Sequence, residues 1–181
     1  MYGIVNQSFY GLITDHYGVE KWEAIKKSSG VDQDYFVSNQ PYEDNITFEL
    51  LAAASEELDI SSDEILQAFG EYWILKTGAE KYGDLMKSGG NSFTEFLINL
   101  PNFHSRIMLI YPNLNPPEFA VERVNENIMR LHYYSERKGL THFVIGLIYG
   151  ISKMYDEAIE IQHIENRQEQ VWHDTFDIRL I

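Results

Sequence analysis

Cysteine is absent from this 181-residue chain. That excludes a disulfide scaffold, a zinc ribbon and a thiol catalyst, and it fits a reducing compartment. Basic residues are scarce: 14 Lys and Arg stand against 28 Asp and Glu, for a formal net charge of −14. Phosphate backbones are gripped by clustered Lys and Arg, so no nucleic-acid partner is expected. Nor is an anionic lipid surface. No apolar run approaches the ~20 residues that cross a bilayer. The opening residues lack the basic stretch and unbroken apolar run of a secretory leader. These absences predict a soluble, cytoplasmic protein with no membrane association.

What is present is a core. Hydrophobic residues make up 44% and aromatics 14%, too apolar for a disordered chain and enough for one domain. The cluster Asn113-Leu114-Asn115-Pro116-Pro117 divides the chain into two textures. Before it, apolar residues recur at three- and four-residue steps. Tyr2, Val5, Phe9, Leu12 and Ile13 predict a helix almost at the start. Ser61 with Glu64, and Ser92 with Glu95, are capping boxes that open two more, with Ile60 and Ile65 forming a staple over the first. One leads into Ile65, Phe69 and Trp73. The other leads into Phe96, Leu97, Leu100, His104, Ile107 and Met108, with a kink or restart expected at Pro101. After the cluster the period becomes two. Strands are predicted over 119–124 and 128–136, joined by a turn at Asn125-Glu126-Asn127. Leu140 to Met154 returns to a helical stripe. Ile159, Ile161 and His163 alternate, as do Trp172, Phe176, Ile178 and Leu180. Two hairpins around a helix predict an α+β fold, with a helical N-terminal part and a four-stranded antiparallel sheet in the C-terminal part.

His104 falls on the apolar face of its helix. A histidine there is either a satisfied core residue or a metal ligand, and an imidazole in an apolar pocket suits haem iron. Tyr133, Ser135 and Arg137 recur at i, i+2 and i+4, which in an extended strand puts three donors on one face. Arg offers a fixed, charged fork. Such a row fits an anion, in particular a pair of carboxylates, or else a polar strand end. The remaining histidines form no ligand-spaced cluster, and no acidic pair stands out as acid and base.

His104 in its helix, Asn115-Pro116-Pro117, and Tyr133-Tyr134-Ser135-Glu136-Arg137 together resemble the H-NOX (haem nitric oxide/oxygen binding) family. That family pairs a proximal His with a later Tyr-x-Ser-x-Arg motif. The resemblance extends over essentially the whole chain, 1–181, as a single domain. It includes Met1-Tyr2-Gly3-Ile4-Val5-Asn6, Leu51-Ala52-Ala53-Ala54-Ser55 and Leu66-Gln67-Ala68-Phe69-Gly70. The run Leu131 to Arg137 is similar to the haem domain of the soluble guanylate cyclase β subunit. The resemblance implies a distal helical subdomain over about 1–60, a proximal one over about 61–181, and haem b between them. It implies His104 as the iron ligand and Tyr133, Ser135 and Arg137 on the propionates. Pro117, or its neighbour Pro116, would press on the macrocycle. Ile4, Trp73, Phe143 and Leu147 would line the distal side.

The family's oxygen binders carry a distal Tyr three residues before a Gly-Leu pair, whereas Gly146-Leu147 here puts Phe143 at that place. Phenylalanine offers no donor, so the resemblance implies binding of NO and CO with discrimination against O₂. Trp73, and His142 by a one-residue shift, remain possible donors. The expected role is a gas sensor, not an enzyme. It resembles the stand-alone bacterial form, with no fused output segment. Such a form signals by release of His104 to a separate protein, a histidine kinase or a cyclic-di-GMP enzyme. The rival is a cofactor-free, acidic protein-interaction module.

Overall fold

The N-terminal stripe forms α1 (Gly3–Tyr17), which buries Ile4, Phe9, Leu12 and Ile13. The structure is a computed structural model that describes residues 1–110, 116–165 and 173–181. Gly18, at φ +87°, ends α1 in a conformation that favours glycine and leads into α2 (Val19–Ser29). Then come α3 (Asp44–Leu58) and α4 (Ser62–Tyr72). The capping box predicted at Ser61 and Glu64 is formed in both directions. A π-helical stretch, Trp73–Gly78, continues α4 into α5 (Ala79–Lys87). After α6 (Phe93–Ile110) come β1 (Glu118–Arg123), β2 (Ile128–Tyr134), α7 (Thr141–Met154), β3 (Ile159–Glu165) and β4 (His173–Leu180).

The four strands form one antiparallel sheet in the order β1-β2-β4-β3. The two hairpins meet along β2 and β4, where Leu131 faces Phe176 and Met129 faces Ile178. These four side chains are buried. The opposite face is polar. There the rings of Tyr134 and His173 stack at 4.2 Å, and His132 Nδ1 lies 2.9 Å from His173 Nε2. The fold is α+β, as the change of period predicts.

Two cores result. An N-terminal core gathers Phe9, Leu12, Ile13, Trp22, Ile25, Leu50 and Ala54 with Ile65, Leu66 and Phe69 of α4. A second gathers α6, α7 and the inner face of the sheet around Phe93, Phe96, Leu131, Ile148 and Phe176. The helices α4 and α7 link them by crossing at two glycines. A Cβ on Gly70 would lie 2.1 Å from the Phe143 carbonyl oxygen, and one on Gly146 would lie 2.0 Å from that of Gln67. Only glycine permits so close an approach of two backbones.

Four local expectations are revised. Pro101 lies inside α6, which runs on with no restart; the missing N–H removes only one ladder bond. The second capping box is half-formed. Glu95 N donates to Ser92 Oγ at 3.2 Å, but the Glu95 carboxylate takes the N–H of Asn91 instead of Ser92. The return strand stops at Tyr134, so Ser135 and Arg137 are loop residues and do not continue a strand row. Trp73 opens a π-helical stretch instead of extending an α-helix. Asn113, Leu114, Asn115 and Trp172 lie outside the described residues.

Candidate functional site

One cavity of about 260 Å³ opens between the two cores. Its walls are overwhelmingly apolar. Ile4, Trp73, His104, Pro116, Pro117, Tyr133, Ser135, Arg137, Phe143 and Leu147 all line it. Residues scattered over most of the chain are thus brought to one space.

The His104 wall is built by α6. His104 Nδ1 lies 3.1 Å from the Leu100 carbonyl oxygen one turn earlier. A carbonyl only accepts, so Nδ1 carries the proton and Nε2 keeps its lone pair. Burial pulls the imidazole below its ordinary pKa, with the Leu100 bond opposing. A neutral ring with a fixed tautomer is what a metal ligand requires. The ring also packs on Phe119 at 4.8 Å, and Phe119 on Tyr133 at 5.5 Å. A line of rings therefore runs from α6 through β1 to β2.

The polar corner is made by Tyr133, Ser135 and Arg137. Tyr133 projects from the buried face of β2, and burial pushes its phenol up, while the hydrogen bond with Ser135 lowers it. In the loop that follows, the Arg137 N–H donates to Ser135 Oγ at 3.1 Å, which turns the chain back on itself. Arg137 Nε donates to Asp44 Oδ2 at 2.6 Å, and Asp44 also receives the amine of Met1. Sequence spacing alone could not reveal Asp44. It lies 93 positions from Arg137, and its only local signal is an acidic residue at a helix start.

The opposite wall is aromatic. Phe143 packs on Phe69 at 4.9 Å, and Phe69 meets Trp73 edge-on at 6.5 Å and Phe9 at 5.2 Å. His142 is not on this wall: its Nδ1 lies 3.0 Å from Asp63 Oδ1 on a partly exposed surface. Val5, Thr47, Phe69 and Phe119 also line the cavity but were not among the predicted site residues. Val5 and Phe69 were legible as stripe residues, and Phe119 as a residue of a predicted strand. Thr47 carried no signal.

The donor set fits haem. His104 offers a single imidazole at the cavity wall, which suits a metal that brings its other ligands with it. An iron porphyrin does so. It offers a flat apolar body for the walls and two carboxylates for the Tyr133, Ser135 and Arg137 corner.

Fold and cavity together define an α+β domain that encloses an apolar cavity with a polar corner. The chain belongs to the Haem-NO-binding (H-NOX) family, which matches residues 2–163. H-NOX domains bind haem and gaseous ligands and signal to partner domains. The chain is 28% identical over 169 residues to soluble guanylate cyclase gcy-31 of Caenorhabditis elegans, covering 92% of this chain and 24% of that protein. It is 36% identical over 109 residues to the guanylate cyclase soluble subunit beta-2 of Rattus norvegicus, covering 60% and 16%. It therefore spans about a quarter or less of the length of these relatives. A crystal structure of a mutant Fe(II) unliganded H-NOX protein from K. algicida superposes with a TM-score of 0.87 at 26% identity, over 100% of this chain and 97% of that one. Among the described residues no helix is long and apolar enough to cross a membrane.

Proposed function

We propose that this chain is a cytoplasmic haem b sensor of nitric oxide that also takes carbon monoxide and discriminates against oxygen. The observation that carries the reading is His104: a neutral imidazole on an apolar wall, facing a cavity whose one polar corner holds Tyr133, Ser135 and Arg137. His104 holds the iron through Nε2. Tyr133, Ser135 and Arg137 hold the propionates. Pro117, with Pro116 beside it, would press on the macrocycle. In this reading the N-terminal helical part is distal and the C-terminal part proximal.

Ile4, Trp73, Phe143 and Leu147 form the gas-binding side. Bound oxygen depends on a hydrogen-bond donor far more than nitric oxide or carbon monoxide does. Phe143 supplies none, and His142 is engaged with Asp63. Trp73 shares ring contacts with Phe69 and acts as a packing residue.

Haem held by His104 and the Tyr133, Ser135 and Arg137 corner would supply an iron that binds a diatomic gas, and gas binding would loosen the hold of His104. His104, once released, no longer ties α6 to the cavity. The helix then shifts against Phe119 and presents a different surface to a partner. This is population shift: the gas must favour the released arrangement, or nothing switches. A histidine kinase or a cyclic-di-GMP enzyme is the partner class that the family resemblance suggests.

The test is the visible spectrum of the reduced, oxygen-free protein before and after nitric oxide. A Soret band of five-coordinate haem that moves to the blue supports sensing with His104 release. A band that shifts but stays six-coordinate keeps sensing and removes release. A protein that takes up no haem is a cofactor-free interaction module instead.

A further inference from the structure

The Asp44 carboxylate lies between two cations. Its Oδ2 accepts from Arg137 Nε at 2.6 Å, and its Oδ1 accepts from the Met1 amine, which also donates to the Tyr42 carbonyl. Asp44 is the first residue of α3, where the helix dipole favours a negative charge. Burial opposes that charge, but the amine and Arg137 hold the carboxyl below its usual range. Asp44 is therefore anionic at neutral pH. Met1 and Arg137 both line the cavity, so this charged group borders it.

A guanidinium recognises a carboxylate through a planar fork, and the fork is useful only when its plane is fixed. Arg137 sits on a loop beyond the end of β2, so the strand does not fix it. Asp44 engages Nε, one of five N–H donors. That bond ties the guanidinium plane to the start of α3.

We propose that Asp44 is a positioning residue: it sets the Arg137 guanidinium to receive a propionate of the bound haem, without touching the haem itself. This rests on the haem reading above. A tie that merely joins α3 to the loop would support any occupant of the cavity equally. A tie that aims Arg137 matters only for an occupant that carries carboxylates. The two differ in a measurable way.

The experiment loads wild type, Asp44→Asn and Asp44→Glu with haem b or with its dimethyl ester. It then follows haem loss to an excess of apomyoglobin, with thermal melts as a fold control. Asp44→Asn should lose haem b about tenfold faster than wild type, as expected for one charge-assisted contact. The difference should vanish with the diester, and Asp44→Glu should recover most of the haem b retention. Equal acceleration with both cofactors, or none with haem b, overturns the proposal. If Asp44→Asn does not fold, the comparison passes to Asp44→Glu. A haem b loss rate for that variant that is raised equally with the diester then overturns it. The haem reading fails separately. Wild type that takes up neither cofactor sinks it outright, and wild type that holds the diester as tightly as haem b sinks the propionate assignment whatever Asp44 does.

Discussion

The wall that carries Phe143 and Leu147 and the wall that carries His104 are held in different ways. On the first, α4 and α7 touch backbone to backbone, with the positions of Gly70 and Gly146 leaving no room for a methyl group. On the second, α6 meets the sheet through rings, His104 on Phe119 and Phe119 on Tyr133. Along the same helix Ile98, Met108 and Leu109 are exposed. Backbone contact fixes two helices at one separation, because any shift breaks packing along the whole crossing. Ring contacts tolerate sliding. Under the proposed function the stiff wall would select the ligand and the compliant one would report it.

The largest test of this contrast removes the link on the compliant side. His104→Ala should release haem roughly 100-fold faster than wild type, read as decay of the Soret band. The fold should survive, because the ring lies at the cavity edge. Next in size is Gly146→Ala. Its methyl would meet the Gln67 carbonyl at 2.0 Å, and overpacking of this kind costs about 2 kcal/mol. A denaturant midpoint equal to that of wild type would show that the crossing relaxes and is not stiff. Smaller again is Phe143→Tyr, which places a phenol on the stiff wall. Oxygen affinity should rise about tenfold for one hydrogen bond, measured by oxygen titration of the ferrous protein.

The smallest effect lies outside both walls, on the polar face of the sheet. Burial and the neighbouring His132 pull His173 below its ordinary value of 6.5. The unfolded chain then binds the proton more readily than the folded one. Stability from this group is present above that value and is lost as the pH falls through the lower, folded one. Melting temperature should drop on acidification from neutral pH, and the drop should be smaller in His173→Gln.

Much of this was readable in the order of residues. Ser61 and Glu64 announce α4 because a capping box is a local motif that closes over four residues. The helical and strand periods survive because each face meets one solvent or one core. The cavity residues were legible through motif resemblance, and the structure draws all ten of them together. What stayed hidden was non-local or irregular. The Asp44–Arg137 pair spans 93 positions and has no periodic signature. Spacing suggested that Ser135 and Arg137 continue a strand, whereas the Ser135 side chain bonds to the backbone and turns the chain out of it. Helix α2 buries only Trp22 and Ile25, too few to mark a stripe.

The π-helical stretch at Trp73–Gly78 has a consequence for comparing chains. Its wider turns hold more residues than the same length of α-helix. It therefore acts as a small insertion absorbed inside a helix, with no loop to betray it. Against a relative whose helix is regular throughout, a one-residue gap belongs here. Without that gap, Phe69 and Trp73 would be matched in frame while Met86 and everything on α5 slipped by one.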